Sequence, residues 1–239
     1  MQVLNDLVGY KNLSIYQDSN WFSFSLDSVL LPNFVTLNKN IKVVMDLCCG
    51  NAPIPLILTT KTEAKIIGVE LQKDVYDLAK KSVEYNKLNN RIELLNINIK
   101  ELKNKYTSDS IDVITCNPPY FKYIESSNIN DDIHKVIARH EKEITLEEII
   151  DISHYLLKNN GCLAMVHRTD RLIEIINLFN KYGLEVKKLR FIYPKEESKS
   201  NLILVEGRKN GSVGLTVLPP LYVHNADGSY KEEILKMFE

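Results

Sequence analysis

Asn117, Pro118, Pro119 and Tyr120 follow directly on the apolar run Ile111 to Cys116. Such a turn at the end of a buried strand suits one chemistry. It can hold a flat, conjugated NH₂ group and ready its nitrogen to attack an electrophilic methyl. That nitrogen is a poor nucleophile because its lone pair is delocalised. The Asn117 side-chain carbonyl and the Pro118 backbone carbonyl can accept hydrogen bonds from the NH₂, which favours a pyramidal nitrogen with its lone pair free. Proline has no N–H to donate and fixes its own φ, and Pro118 and Pro119 keep the residues before them extended. Tyr120 offers an aromatic face on which a planar base can stack. The same four residues also suit an ordinary strand-ending turn, since Asn-Pro marks turns in general.

A second set lies upstream. Val43 to Ala52 reads as a strand running into a tight turn, with Asp46 in the strand and Cys48, Gly50 and Ala52 in the turn. It resembles motif I of S-adenosylmethionine-dependent methyltransferases, usually D-x-G-x-G-x-G, with Cys48 and Ala52 where glycines are common. Small residues are what close backbone approach to a ligand needs. Glu70 stands 20 residues after Gly50 and ends the next strand. A carboxylate there can accept both ribose hydroxyls of an adenosyl group. Asp46 and Glu70 also suit plain strand-end capping. Pro53 and Pro55 open the following helix, where proline is tolerated. No lysine of a triphosphate-binding loop follows. Asn98 ends the third strand and resembles the position that contacts the adenine amino group of the cofactor. Leu71 and Ile99 follow Glu70 and Asn98 and complete the expected cofactor set with Asn117.

These residues need a scaffold that brings several strand ends together. Strand-like runs at Lys42 to Leu47, Lys65 to Glu70, Arg91 to Ile97, Ile111 to Cys116 and Cys162 to His167 alternate with helical segments. The helices are expected from about Ile54, over Asp74 to Leu88, Thr145 to Lys158 and Asp170 to Tyr182. Thr145 and Glu148 have capping-box spacing, and Gly161 and Gly183 stand where helix-terminating glycines belong. This is a βαβ series, hence a parallel sheet covered on both faces. Leu184 to Tyr193 and Asn201 to Arg208 follow without an intervening helix, so they pair as an antiparallel hairpin. The expected fold is α/β, a Rossmann-like class I methyltransferase with a mostly parallel seven-stranded sheet. The catalytic domain spans 41–210. Before it, residues 1–40 form an arm too apolar to be free, with Trp21, Phe22 and Phe24 among others. After it, 211–239 is a Gly/Pro-rich tail ending in a short helix.

Composition narrows the class further. The 239 residues are 44% hydrophobic and 26% charged, an ordinary globular balance. No window approaches the roughly 18 uncharged apolar residues of a membrane span. Met1 to Tyr10 carries Asp6 and no basic residue, unlike a signal peptide. Cys48, Cys49, Cys116 and Cys162 make no C-x-x-C pair and the histidines show no ligand spacing, so neither zinc nor disulfides are expected. The expectation is a cytoplasmic monomer with reduced thiols and no metal. Net charge is −1, yet Lys181 to Asn210 holds eight basic residues against four acidic ones. A local basic face can bind phosphates on a neutral protein; lysines guarding a strand edge would look the same.

The chain as a whole resembles the bacterial tRNA1(Val) adenine N(6)-methyltransferases over roughly residues 15 to 230. The resemblance is carried by the Asn-Pro-Pro-Tyr turn and by Phe24-Ser25-Leu26-Asp27-Ser28-Val29-Leu30-Leu31. Ala138-Arg139-His140-Glu141, Val166-His167-Arg168 and Leu189-Arg190-Phe191 add to it, and Asn201 to Lys209 matches most closely. It implies a tRNA substrate, the adenosine at position 37 beside the anticodon, and S-adenosylmethionine as cofactor. Arg139, Arg168, Arg190, Lys195, Lys199, Arg208 and Lys209 are then the candidate phosphate contacts. The polar stretch Phe121 to Arg139 reads as a lid that orders on substrate. Two other readings remain. A release-factor glutamine methyltransferase shares the Asn-Pro-Pro-Tyr turn but usually carries a sizeable helical domain ahead of motif I, where this chain has about 40 residues. A non-catalytic RNA-binding subunit could retain the fold.

Overall fold

From Val43 onward the β-branched runs pair into one sheet, and amphipathic segments cover its faces. The computed structural model describes residues 1–7, 9–10, 12–18, 25–119 and 144–238. A hairpin of β1 (Gln2–Asp6) and β2 (Ser14–Asp18) comes first, then α1 (Asp27–Phe34). The alternating series runs β3 (Val43–Leu47), α2 (Pro53–Leu58), β4 (Lys65–Val69), α3 (Lys73–Tyr85) and β5 (Ile92–Leu95). It continues with α4 (Leu102–Lys105), β6 (Ile111–Cys116), α5 (Leu146–Leu156), β7 (Leu157–Arg168) and α6 (Leu172–Lys181). The chain closes with β8 (Leu184–Tyr193), β9 (Leu202–Lys209), β10 (Thr216–Val217), β11 (Leu221–Tyr222) and α7 (Glu232–Met237).

The core strand order is β5-β4-β3-β6-β7-β9-β8. β3 to β7 run parallel, and β9 is antiparallel to both β7 and β8. The parallel strands therefore end along one edge, where such sheets bind ligands. Both faces are covered, so the strands are apolar on both sides. Val44 and Val113 pack with α1, α2 and the N-terminal hairpin. Met45, Leu47 and Ile114 pack with α5 and α6 on the other face.

Two expectations need correcting. Among the described residues the sheet has nine strands, because the tail adds β10 and β11 in parallel to the outer edge of β8. They satisfy an edge that would otherwise expose its backbone groups. Leu218 N–H donates to the Leu189 carbonyl at 2.8 Å, and Val223 N–H to the Tyr193 carbonyl at 2.9 Å. Second, α5 ends at Leu156 rather than Lys158, and Gly161 does not terminate it. Asn160 takes the left-handed turn, at φ 62°. Gly161 lies within β7, where a Cβ would sit 2.9 Å from the carbonyls of Asp112 and Lys158. Other signals agree with the structure. Thr145 and Glu148 form the capping box, with Glu148 N–H donating to Thr145 Oγ1 at 3.2 Å and Thr145 N–H to Glu148 Oε2 at 2.8 Å. Gly183 closes α6 at φ 68°.

The two ends of the chain clasp each other on the α1 face. Tyr10 OH donates to the Met237 carbonyl at 2.8 Å, and Asn33 Nδ2 donates to Tyr10 OH at 3.2 Å. Leu7, Ile15, Ile234 and Phe238 share that core. Trp21, Phe22 and Phe24 of the arm lie outside the described residues.

Candidate active site

The turn after β3 keeps a glycine-like backbone with one glycine. Cys48, Gly50 and Ala52 all have positive φ, at 59°, 57° and 72°. These are the three positions where motif I usually carries glycine. An L-residue in the left-handed region costs about 1–2 kcal/mol, so the surroundings must hold the turn. Cys49 N–H donates to the Val69 carbonyl at 3.0 Å, and Ala52 N–H to the Cys49 carbonyl at 3.0 Å. Gly50 N–H donates to Glu70 Oε2 at 3.0 Å. A Cβ on Gly50 would meet nothing within 4 Å. The turn thus faces open space.

Two buried carboxyls stand beside it. Glu70, just past β4, is 5% exposed. Its Oε1 accepts from Gln72 N–H at 2.8 Å while Oε2 holds Gly50. Burial pushes this carboxyl up, against the backbone N–H bonds that pull it down. Asp46 is fully buried within β3, so it is not a strand-end cap. Thr115 Oγ1 on β6 donates to its Oδ1 at 2.5 Å. Its Oδ2 has no hydrogen-bond partner among the described residues. Burial, with a smaller contribution from the Glu70 charge, pushes Asp46 up to about 8, although Thr115 opposes this. A buried polar atom without a partner is costly unless a ligand completes it.

Asn98 follows β5 rather than ending it. It caps a short 3₁₀ turn, where its Oδ1 accepts from Lys100 N–H at 3.0 Å. Ile99 is buried in the core and Leu71 is half-buried. Sequence reasoning missed Asn96. Its Nδ2 donates to the carbonyls of Glu70 and Leu71, both at 2.9 Å, and so fixes the segment that carries the acid. The only signal available was an amide side chain at the end of an apolar run.

The second turn leaves β6 beside the first. Leu47 and Cys116 are register partners on adjacent parallel strands. Cys48 and Asn117 therefore leave the sheet side by side. Asn117 and Pro119 are half-buried and Pro118 is buried. Tyr120, Arg139 and the expected lid from Phe121 to Arg139 lie outside the described residues.

A family described as methyltransferase domain matches residues 38–199. The chain belongs to that family. Its methyl donor is S-adenosylmethionine, and the residues at the first turn fit that molecule. Glu70 keeps lone pairs that could accept from its ribose hydroxyls, Asp46 Oδ2 is an acceptor without a partner among the described residues, and the space beside Gly50 is open. The methyltransferase is 24% identical over 216 residues to the tRNA1(Val) (adenine(37)-N6)-methyltransferase of Flavobacterium psychrophilum, covering 89% of this chain and 91% of that one. It is also 24% identical to the same-named protein of Cytophaga hutchinsonii, over 84% of this chain and 82% of that one. A predicted O-methyltransferase from Agrobacterium tumefaciens shares the fold, with a TM-score of 0.71 and 18% identity over 89% of this chain and 95% of that one.

Among the described residues, the candidate phosphate contacts do not form one face. Lys195 and Lys199 are exposed in the turn between β8 and β9, at the same sheet edge as Asn117. Arg168, at that edge too, binds Asp170 at 2.9 Å. Arg190 is mostly buried and ties Glu233 at 2.6 Å to the Pro219 carbonyl at 2.9 Å. Arg208 and Lys209 lie at the opposite edge. Lys209 is buried against Asp109 at 3.0 Å and the Leu157 carbonyl at 2.9 Å. Arg208 reaches the Asn160 carbonyl at 3.3 Å. The surplus charge of Lys181 to Asn210 is therefore split by the antiparallel hairpin. Among the described residues no cluster of three or more metal-ligating side chains occurs. No described helix is long and apolar enough to cross a membrane.

Proposed function

We propose that this methyltransferase modifies the 6-amino group of an adenosine in tRNA, at position 37 beside the anticodon of tRNA(Val). The observation that carries the reading is the pairing of two turns: Asn117-Pro118-Pro119 leaves β6 directly beside the cofactor turn that leaves β3. The relatives' shared name supplies the substrate. When bound, S-adenosylmethionine supplies an electrophilic methyl group. Glu70 would hold its ribose hydroxyls, and the Asp46 carboxyl would supply a nearby acceptor for its cationic end. Asn117 and Pro118 accept the two N–H bonds of the adenine amino group and free its lone pair. Tyr120, which lies outside the described residues, is the stacking partner the sequence leads one to expect. The base comes from a single-stranded loop, so extruding it costs less than from a duplex. The work is mostly positioning. The attacking nitrogen becomes acidic only after transfer, so no strong general base is needed, and the turn contains none.

Lys195 and Lys199 are exposed cations at the reacting edge and take the role of phosphate contacts, with Arg168 beside them. Both turns come from one chain, so a single copy can hold donor and base together. The test is to incubate tRNA with the protein and labelled cofactor, then map modified nucleosides by mass. The expected product is N6-methyladenosine at position 37. Label on a glutamine amide of a release-factor peptide, with none in tRNA, would replace this reading by the glutamine methyltransferase one.

A further inference from the structure

The N-terminal hairpin reaches the cofactor turn through a side chain that the mechanism above does not use. Asn51 lies between Gly50 and Ala52 and is 7% exposed. Its Nδ2 donates to the Tyr16 carbonyl of β2 at 2.8 Å. Tyr16 N–H in turn donates to Ser82 Oγ on α3 at 2.9 Å. Asn86 brackets Ser14, accepting from its N–H at 2.9 Å and donating to its carbonyl at 2.6 Å. Ile15 between them is buried in the core. The inner strand of the hairpin is thus fastened to α3 by side chains, and Asn51 links it to the turn. Glu70 holds the same turn from the other side, through Gly50 N–H. The two holds act on neighbouring residues, and the flanking Cys48 and Ala52 are in strained left-handed conformations.

We infer that Asn51 is a positioning residue: by gripping the Tyr16 carbonyl it couples docking of the N-terminal hairpin to the shape of the S-adenosylmethionine turn. This rests on the cofactor sitting at that turn. A single buried hydrogen bond sets the size of the effect. Coupling of this kind is reciprocal. A turn shaped by the hairpin must, when the cofactor fills it, protect the hairpin.

The experiment pairs titration calorimetry with S-adenosylhomocysteine and amide hydrogen exchange over residues 14–18. In the native protein, S-adenosylhomocysteine should slow exchange in that strand. Asn51→Ala should weaken binding about fivefold and abolish the added protection. Ser82→Ala loosens the strand without touching the turn. It should weaken binding about twofold, and it reads the coupling from the hairpin side if Asn51→Ala folds poorly. Glu70→Ala separates the two levels of the argument. If Glu70→Ala weakens binding while Asn51→Ala and Ser82→Ala do not, the coupling is wrong and the cofactor site stands. Protection of residues 14–18 that persists in Asn51→Ala also overturns it. If all three variants bind normally, the cofactor lies elsewhere and both readings fall.

Discussion

Asp46 and Asp112 sit on adjacent strands, β3 and β6, near opposite edges of the sheet, and their surroundings differ as sharply as their positions. At the strand-start edge, Asp112 receives the Lys158 ammonium at 2.6 Å and the N–H groups of Lys42 and Val43 at 3.0 and 2.9 Å. Burial raises its carboxyl, but Lys158 and the two N–H groups outweigh burial and hold it below the usual range. Asp46 has one donor, Thr115, and is pushed up to about 8 by burial. The first is a charge with its needs met inside the fold. The second keeps an acceptor in reserve beside a turn open to a ligand. Lys209 with Asp109 repeats the first pattern, and Glu70, which keeps lone pairs after two backbone bonds, repeats the second. Asp112 and Lys209 have their partners inside the fold, whereas Asp46 and Glu70 keep acceptor capacity beside the cofactor turn.

The largest expected effect is at the reacting turn. Asn117→Ala should lower methyl transfer by about a thousandfold, the scale of losing a positioned hydrogen-bonding group at a reacting centre. Cofactor affinity should stay within a few-fold. A turnover assay beside calorimetry checks both, and near-native turnover would remove Asn117 from the chemistry.

Glu70→Ala should come next, with at least a tenfold loss in cofactor affinity. Bonds to a charged group contribute about 1.5–3 kcal/mol, and the variant also frees Gly50 N–H. Asp112→Ala is its mirror at the other edge. It leaves two backbone N–H groups and Lys158 without their acceptor, at a cost of about 1–3 kcal/mol. The melting temperature should fall by several degrees while cofactor affinity stays unchanged. An Asp112→Ala variant that weakened the cofactor without lowering the melting temperature would erase the division between the edges.

How much of this division was legible beforehand depends on what each residue does. Strands β3 to β9 could be read because continuous β-branched runs alternate with amphipathic segments. β10 and β11 could not, since two residues have no periodicity and their pairing depends on a vacant strand edge elsewhere in the chain. Glu70 was found by its spacing from Gly50. Asn96 and Asn51 were not, because each works through a single amide reaching a backbone carbonyl distant in sequence. The basic run looked continuous, but a hairpin sends its two halves to opposite edges. Cys48 and Ala52 read as lost glycines, whereas the backbone keeps the glycine conformation without them.

Proton linkage sharpens the comparison. The Asp46 carboxyl is near 8 in the folded protein and 3.8 is its ordinary value. Between these values the folded state holds a proton that the unfolded chain has given up. Its contribution to stability is therefore complete at low pH and lost as pH rises through about 8. A cationic ligand beside it favours the ionised form. Binding S-adenosylmethionine at pH 7 should then release up to one proton, and above roughly pH 9 none. Calorimetry in buffers of different ionisation enthalpy measures this. Asp46→Asn should abolish the release and Asp112→Asn should leave it intact; equal release in Asp46→Asn would assign it to another group.

The smallest effect tests whether the cofactor turn needs its conformation or its side chains. Cys48→Gly removes a left-handed strain of about 1–2 kcal/mol. It also frees the unfolded chain, which offsets roughly 0.4–1 kcal/mol, and it gives up part of the thiol's packing. The net change should lie within about 1 kcal/mol of zero and lean towards stability. Gly50→Ala runs the other way, because its φ of 57° strains any side chain although the space beside it is open. It should destabilise by about 1–2 kcal/mol and weaken the cofactor through the Cβ that now faces the ligand. Denaturant unfolding of both variants decides the matter. If Cys48→Gly costs more than Gly50→Ala, then the thiol itself holds the turn, and the positive φ at Cys48 is a consequence of its packing rather than of the ligand.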